Sequence, residues 1–408
     1  MDTASRRLLT LLGLAVLFEG YGRALVTVVL AYVGRDLGAT PDQLSYALAV
    51  VASGSLGVLV LGPLADRFGR RRLLLVSVGL LGAFGVLSGT ARTLGALIAW
   101  QLLARVFQEG ALFTAAVLAA EEIPAARRAA GQGVLGTLNS FGPGLAALLL
   151  AAIGVVPFGW RGLCVVSVLP IALLPVLRRQ VPESRRWLLA RGGRSSARPP
   201  RAYRGRLVAA MVVVGLAMSY DVAAFAFVTY VPITEYGWTA GQASAMFIVA
   251  GALGLPGWAL GGVLADRFGR RPVGAIFLGG LTVAELVFFL GGARALWPGF
   301  AAIVFFQGGK MTITRAWASE LFPTSFRGAA AGWLTAAGAV GGVAGLTIAG
   351  ALAPHVGGIA PALAVLSLAG VLAAAAVLAW LPETRGLDLE ASAPEVDDAA
   401  GKPRRHVG

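Results

Sequence analysis

A chain of 408 residues that is 57% hydrophobic and only 13% charged is excluded from the water-soluble classes, because its folded domains would expose too much apolar surface. The formal charge of +14, from 34 basic and 20 acidic side chains, would suggest a nucleic-acid partner in a soluble protein. In a chain of mean hydropathy +0.77, its meaning rests instead on where the arginines fall.

Apolar stretches of the roughly 18 to 25 residues needed to cross hydrocarbon as helix occupy 8–33, 44–65, 73–91, 94–119, 130–153, 160–177, 207–232, 242–264, 273–292, 295–318, 329–352 and 359–381. These twelve spans, six per half, predict an all-α polytopic membrane protein of two pseudo-symmetric six-helix bundles. The runs lack the period-two alternation of barrel strands, and 56 glycines suit close helix packing in lipid. The first run follows Arg6 and Arg7 and is too long for a cleaved leader, so it reads as a retained span. Residues 1–178 form the first bundle, 179–206 a cytoplasmic linker, 207–384 the second bundle and 385–408 a disordered cytoplasmic tail. Within the linker, Arg185-Arg186-Trp187-Leu188-Leu189 is either a short interfacial helix or a solvated tether.

With the N-terminus in the cytoplasm, most basic residues fall on that side, at Arg6/Arg7, Arg70/Arg71, Arg127/Arg128, Arg270/Arg271, Arg327, the linker and the tail. Only Arg35, Arg92, Arg161 and Arg294 fall opposite. This asymmetry places both termini in the cytoplasm of a multi-pass cell-membrane protein and leaves no need for nucleic acid. Cys164 is the sole cysteine and there are two histidines, so no disulfide, metal site or cofactor is expected.

The octapeptide Leu-Ala-Asp-Arg-Phe-Gly-Arg-Arg occurs at Leu64 to Arg71 and again at Leu264 to Arg271. In the same order, Phe107-Gln108 matches Phe306-Gln307, Glu121 matches Glu320, Pro124 matches Pro323, Arg128 matches Arg327, and Val-Pro-Glu-Ser at 181–184 matches Leu-Pro-Glu-Thr at 381–384. The halves are therefore internal repeats.

The loop Gly-x-Leu-Ala-Asp-Arg-x-Gly-Arg-Arg, in both copies, resembles the signature of the major facilitator superfamily. Pro-Glu-Ser-Arg-Arg-Trp-Leu after Val181, Glu-Leu-Phe-Pro-Thr-Ser-Phe-Arg-Gly from Glu320, and Pro-Glu-Thr-Arg-Gly from Pro382 are similar to its sugar-porter and metabolite-proton symporter branch. Gly62 and Gly262 are expected to let a neighbouring helix approach closely. Asp66 and Asp266 are placed to accept from a helix N-terminus or an arginine, while Arg70/Arg71 and Arg270/Arg271 reach toward Glu121 and Glu320. The resemblance implies that these groups, with Arg128, Glu183, Arg327 and Glu383, form a state-dependent cytoplasmic gate.

Glu19, Arg23, Arg105, Glu109, Asp221, Glu285, Lys310 and Arg315 all fall inside predicted spans. Each would cost roughly 2.5 to 3.5 kcal/mol at a helix centre facing lipid, so they are expected to face water, pair, or lie near an interface. Glu19/Arg23 and Arg105/Glu109 are spaced i, i+4 and can compensate each other. Lys310 is one of two lysines against 32 arginines, a candidate anion contact. All but Glu285 fall on spans one, four, seven and ten, which by the resemblance line a central cavity. Arg105-Val-Phe-Gln108 resembles the family's proton-coupled Arg-x-x-Gln-Gly motif, with Glu109 in place of glycine. Phe18-Glu19-Gly20-Tyr21 is similar to the Asp-Gly-Tyr-Asp pattern of aromatic-acid symporters, with Gly22 replacing the second acid. Tyr21, Phe107, Tyr220 and Trp317 either stack on a cargo or pack helices.

The expectation is a secondary active transporter, without enzymatic activity or cofactor, working as a monomer by alternating access. No Gly-x-x-x-x-Gly-Lys-Ser/Thr loop for ATP is present, which leaves proton symport of an organic acid or other polar metabolite. Glu19, Arg23, Arg105, Gln108, Glu109, Asp221, Gln307 and Lys310 are the candidate substrate and proton ligands. Proton-coupled drug efflux, facilitative sugar transport and solute sensing without flux remain the alternatives.

Overall fold

In a medium that offers no hydrogen bonds, each backbone amide must be satisfied inside its own segment, and apolar runs of this length therefore fold as helices. The computed structural model describes residues 3–123, 128–184, 200–323, 326–386, 393–394, 396–397 and 402–403. The spans are α1 (Ser5–Val28), α2 (Pro41–Phe68), α3 (Arg70–Ser88), α4 (Leu94–Glu122), α5 (Gly131–Ala151), α6 (Trp160–Gln180), α7 (Arg201–Glu235), α8 (Ala240–Phe268), α9 (Arg270–Leu290), α11 (Arg327–Val356) and α12 (Ile359–Trp380). All eleven are long and apolar enough to cross a membrane. The remaining helix, α10 (Leu296–Glu320), carries Gln307, Lys310 and Arg315, which lower its hydropathy. Among the described residues this makes the twelve-helix architecture expected from the sequence.

The repeat is visible in how the helices start. At the head of α2 the Thr40 N–H donates to Gln43 Oε1 at 3.1 Å, and at the head of α8 the Thr239 N–H donates to Gln242 Oε1 at 2.9 Å. Both are capping boxes, satisfying amides that the first turn leaves free.

The chain divides into two compact units, Met1–Gly193 with Ala226–Ile248, and Arg194–Phe225 with Val249–Gly408. The first is packed around Leu12, Val16, Leu74, Val78, Ala115, Leu118 and Leu177. Within it the far end of α7 is tied to α1 by the Thr229 hydroxyl, which lies 3.1 Å from the carbonyls of both Thr27 and Val28, and Ser244 of α8 donates to Ala147 O of α5 at 2.6 Å. The second unit is packed around Val213, Phe277, Leu278, Ile313, Phe322 and Val377. Helix α9 shows how a span is divided: Ile276, Val283 and Leu290 are exposed apolar groups suited to acyl chains, whereas Leu278, Leu281, Glu285 and Phe288 are buried.

Close helix approach does occur at glycines, but not where the sequence placed it. A Cβ at Gly62 would meet only the Phe113 ring at 3.8 Å, and one at Gly262 the Thr312 methyl at 3.4 Å, both with room for a methyl group. The tight crossings lie earlier along the same helices. A Cβ at Gly54 would stand 2.8 Å from Leu102 O, and one at Gly257 would stand 2.7 Å from Phe305 Cα. α2 thus packs on α4, and α8 on α10, through glycines the loop motif does not contain. Among the described residues of the tail, Val396 pairs with Pro403 and Asp397 with Lys402 in a two-residue antiparallel ladder. Arg127, Pro124 and the segment Arg185 to Leu189 lie outside the described residues.

Candidate functional site

The intramembrane charges gather into one cluster in each unit. In the first, Glu19 of α1 is fully buried, and its Oε2 receives Arg23 Nη2 at 2.8 Å. Asn139 of α5 completes the group, because its amide nitrogen donates to Glu19 Oε2 and to Val16 O while its oxygen accepts from Arg23 at 3.2 Å. Glu19 Oε1 has no hydrogen-bond partner. On α4, Arg105 Nε lies 3.4 Å from Glu109 Oε1, and the Ser55 hydroxyl of α2 bridges them, accepting from Arg105 at 2.8 Å and donating to Glu109 at 3.2 Å. α1 packs on α4, so the two i, i+4 pairs, two acids and two bases, belong to one interior of the first unit. Gln108 is buried against Gly22.

In the second unit, Lys310 of α10 makes an ion pair with Asp221 of α7, and Gln307 donates to the other Asp221 oxygen at 2.6 Å. The ammonium also stands 6.0 Å from the centroid of the Tyr220 ring. The Lys310 and Asp221 side chains are only 2 and 6% exposed, against 21 and 14% for Arg105 and Glu109. A solute can therefore reach Arg105 far more readily than Lys310. Glu285, which the sequence left outside the candidate set, is fully buried, and both its carboxylate oxygens lack a hydrogen-bond partner among the described residues. Arg315 is exposed and lies over the Trp258 ring at 5.7 Å. Tyr21, Tyr220 and Trp317 are buried packing residues, and Phe107 stacks on Phe84 at 6.1 Å.

Sequence reasoning missed Asn139 and Ser55. Their positions in the repeat register are occupied by Gly338 and Leu255, so the internal repeat does not mark them. The available signal was a polar side chain interrupting an apolar run.

The two octapeptide loops build matching charge cages, each within its own unit. Arg70 pairs with Asp66 at 3.1 Å and with Glu121 at 3.2 Å. Arg270 pairs with Asp266 and grips Glu320 through two bonds, at 2.9 and 3.2 Å. Of the two partners open to them, Asp66 and Asp266 thus take the arginine, and the helix N-termini go to other acids: Glu183 Oε1 accepts the Arg71 N–H at 3.1 Å, and Glu383 accepts the Arg270 N–H at 2.7 Å and the Arg271 N–H at 3.0 Å. These carboxylates cap α3 and α9, where the partial positive charge of the helix end favours an anion. Burial works against the charge on Glu383, but the amides of Arg271, Arg270, Arg385 and Thr384 outweigh it and hold the carboxyl below its ordinary range. The Arg71 and Arg271 guanidinium groups donate to the carbonyls of Arg178 and Leu378. Arg327 begins α11, and Arg128 starts the helical turn that leads into α5; the Arg128 side chain is outside the described residues.

What lets each acid reach its amides is the glycine before them. Gly69 and Gly269 have φ of +101° and +105°, and a Cβ at Gly269 would stand 2.7 Å from Glu383 Oε2. This backbone region is essentially reserved for glycine, and holding a residue with a Cβ in it costs about 1 to 3 kcal/mol. Gly269→Ala is expected to lower the thermal stability of the purified protein clearly, and Gly262→Ala to do so little. Equal melting temperatures for the two variants would refute the assignment.

A family model described as Major Facilitator Superfamily matches residues 12–304 and 234–401. The gallate transporter of Pseudomonas putida is 27% identical, with 91% of each chain covered. The niacin transporter of Acinetobacter baylyi is 23% identical over 94% of this chain and 95% of the relative. Among solved structures, a D-xylose-proton symporter superposes with a TM-score of 0.75 at 19% identity, covering 93% of this chain and 98% of the symporter.

Proposed function

We propose that this chain, which belongs to the major facilitator superfamily, is a proton-coupled symporter of small organic carboxylates, aromatic ones foremost. The chain is a multi-pass membrane transporter and not an enzyme. The observation that carries the substrate class is the half-open Arg105–Glu109–Ser55 group, a guanidinium whose acidic partner lies 3.4 Å away and can be displaced by a better-fitting carboxylate. Guanidinium forks match carboxylates in two-bond geometry. Gallate and niacin, named in the full-length relatives, are both aromatic rings carrying a carboxylate.

The coupling follows from charge balance. When a substrate carboxylate takes Arg105, Glu109 is left in a low-dielectric setting without its counter-charge and takes up a proton. Lys310 and Asp221 repeat the arrangement in the second unit, in a more closed form. Substrate and proton then load together, and alternating access carries both. The arginine-rich loops support a topology with both termini and both octapeptide cages in the cytoplasm of a cell-membrane protein embedded in lipid. There the cages serve as the gate whose equilibrium shifts with loading. The single chain is the transporting unit, since each charge cluster is completed by its own residues.

The reading is tested by thermal stabilisation of the purified protein with gallate, nicotinate, xylose and a lipophilic cation, each at neutral and mildly acidic pH. Stabilisation by the carboxylates, growing on acidification, is the expected result. Stabilisation by xylose alone or by the cation alone would replace it with sugar transport or drug efflux.

A further inference from the structure

The two charge clusters differ in their arithmetic. The first holds two carboxylates and two guanidinium groups and is neutral as it stands. In the second, Glu285 is fully buried on α9, which packs on α10 and receives the Tyr220 hydroxyl of α7, so the interior these helices enclose holds two buried carboxylates and one ammonium. Tyr220 joins the pieces: its ring lies under the Lys310 ammonium, its hydroxyl donates to Leu278 O at 3.4 Å, and Leu278 lies two turns before Glu285 on the buried face of α9. Tyr220 itself is uncharged, α12 brings no titratable side chain, and the remaining charges of α10, Arg315 and Glu320, are exposed or held at the octapeptide end by Arg270.

Lys310 is committed to Asp221, and among the described residues nothing donates to either Glu285 oxygen. An ionised carboxylate so placed would carry a buried charge without partner or hydrogen bond, which proteins avoid by neutralising the group. We infer that Glu285 and Asp221 form a two-carboxylate, one-lysine site that retains one proton, resident on Glu285 while Lys310 holds Asp221. The proton and the ammonium are complementary. If Lys310 turns to Glu285, the proton leaves the Glu285 oxygen, Asp221 takes it, and no net charge is gained or lost. The site rests on the proton-coupled reading above for its purpose, but its occupancy can be read with no substrate present.

Infrared difference spectroscopy of the full-length protein in lipid at neutral pH reports protonated carboxyls through their C=O stretch. The Glu285→Gln variant is expected to lose one such band that Glu109→Gln and Glu19→Gln retain. Asp221→Asn is expected to lose the same band, because Lys310 then pairs with Glu285 and ionises it. Glu285→Asp, which keeps the acid if the isostere folds poorly, retains a shifted band. Persistence of the band in Glu285→Gln overturns the resident proton, and its persistence in Asp221→Asn overturns the exchange with Lys310. Carboxylate binding is measured on the same samples, so loss of the band difference with binding intact sinks this site alone. Absence of binding with the band difference intact sinks the substrate assignment instead.

Discussion

Lys310→Met should be the most damaging single substitution in the second unit, and clearly worse than Asp221→Asn. Removing one partner of a buried ion pair leaves the other charge uncompensated, typically a loss of about 3 to 5 kcal/mol. With the lysine gone, Asp221 and Glu285 share a dry interior with no base, and both must be held neutral. With the aspartate gone, Lys310 still has Glu285 to turn to, and the loss is partly offset. The double variant removes both charges of the pair and should recover much of the stability that Lys310→Met forfeits, while transport stays absent. Thermal unfolding of the three variants in one detergent checks this ordering. Equal losses from the two single changes would show that Glu285 offers the lysine no second partner.

The fold was readable from the sequence because its determinants are repeated and continuous. Twelve apolar runs and two octapeptides in register leave little choice of topology, and Gln108 with Gln307 or Glu121 with Glu320 fell on equivalent helices. The site was readable only in part, since its charges break the repeat. Arg105 stands opposite Val304, Glu109 opposite Gly308, Asp221 opposite Gly22 and Lys310 opposite Ala111. Spacing along one helix exposed the Glu19/Arg23 and Arg105/Glu109 pairs. It could not show that α2 and α5 supply Ser55 and Asn139 to them, because such contacts are fixed by helix rotation and not by spacing. Glu285 was set aside for lying on span nine. Its burial face depends on which side of α9 meets α7 and α10, and alanine-, valine- and leucine-rich helices with apolar groups all round give little sign of that. The octapeptide acids show the same limit: the motif left Asp66 and Asp266 a choice between an arginine and a helix N-terminus, and they take the arginine because Glu183 and Glu383, more than a hundred residues further along the chain, occupy the N-termini.

Glu109→Gln is expected to uncouple transport while sparing the passage of substrate. The glutamine keeps the length of the side chain and can still accept from the Ser55 hydroxyl, so the local packing of α2 on α4 survives. Two things change. Arg105 loses its ionic competitor and is freer to grip a carboxylate, and the group that takes the proton on loading is gone. Exchange of labelled for unlabelled substrate across proteoliposomes needs only binding and alternation and should continue. Accumulation driven by an imposed pH gradient should fall at least tenfold, a loss of about 1.4 kcal/mol in the coupling. Arg105→Met should cut both activities sharply, because the remaining cations are engaged: Arg23 is held by Glu19 and Asn139, and Lys310 is enclosed and committed to Asp221. Arg105→Lys retains the charge but not the two-pronged geometry, and should keep exchange at reduced apparent affinity. Full gradient-driven accumulation by Glu109→Gln would remove Glu109 from the proton path and leave Glu19 and the Asp221–Glu285–Lys310 group as the described buried acids able to drive uptake.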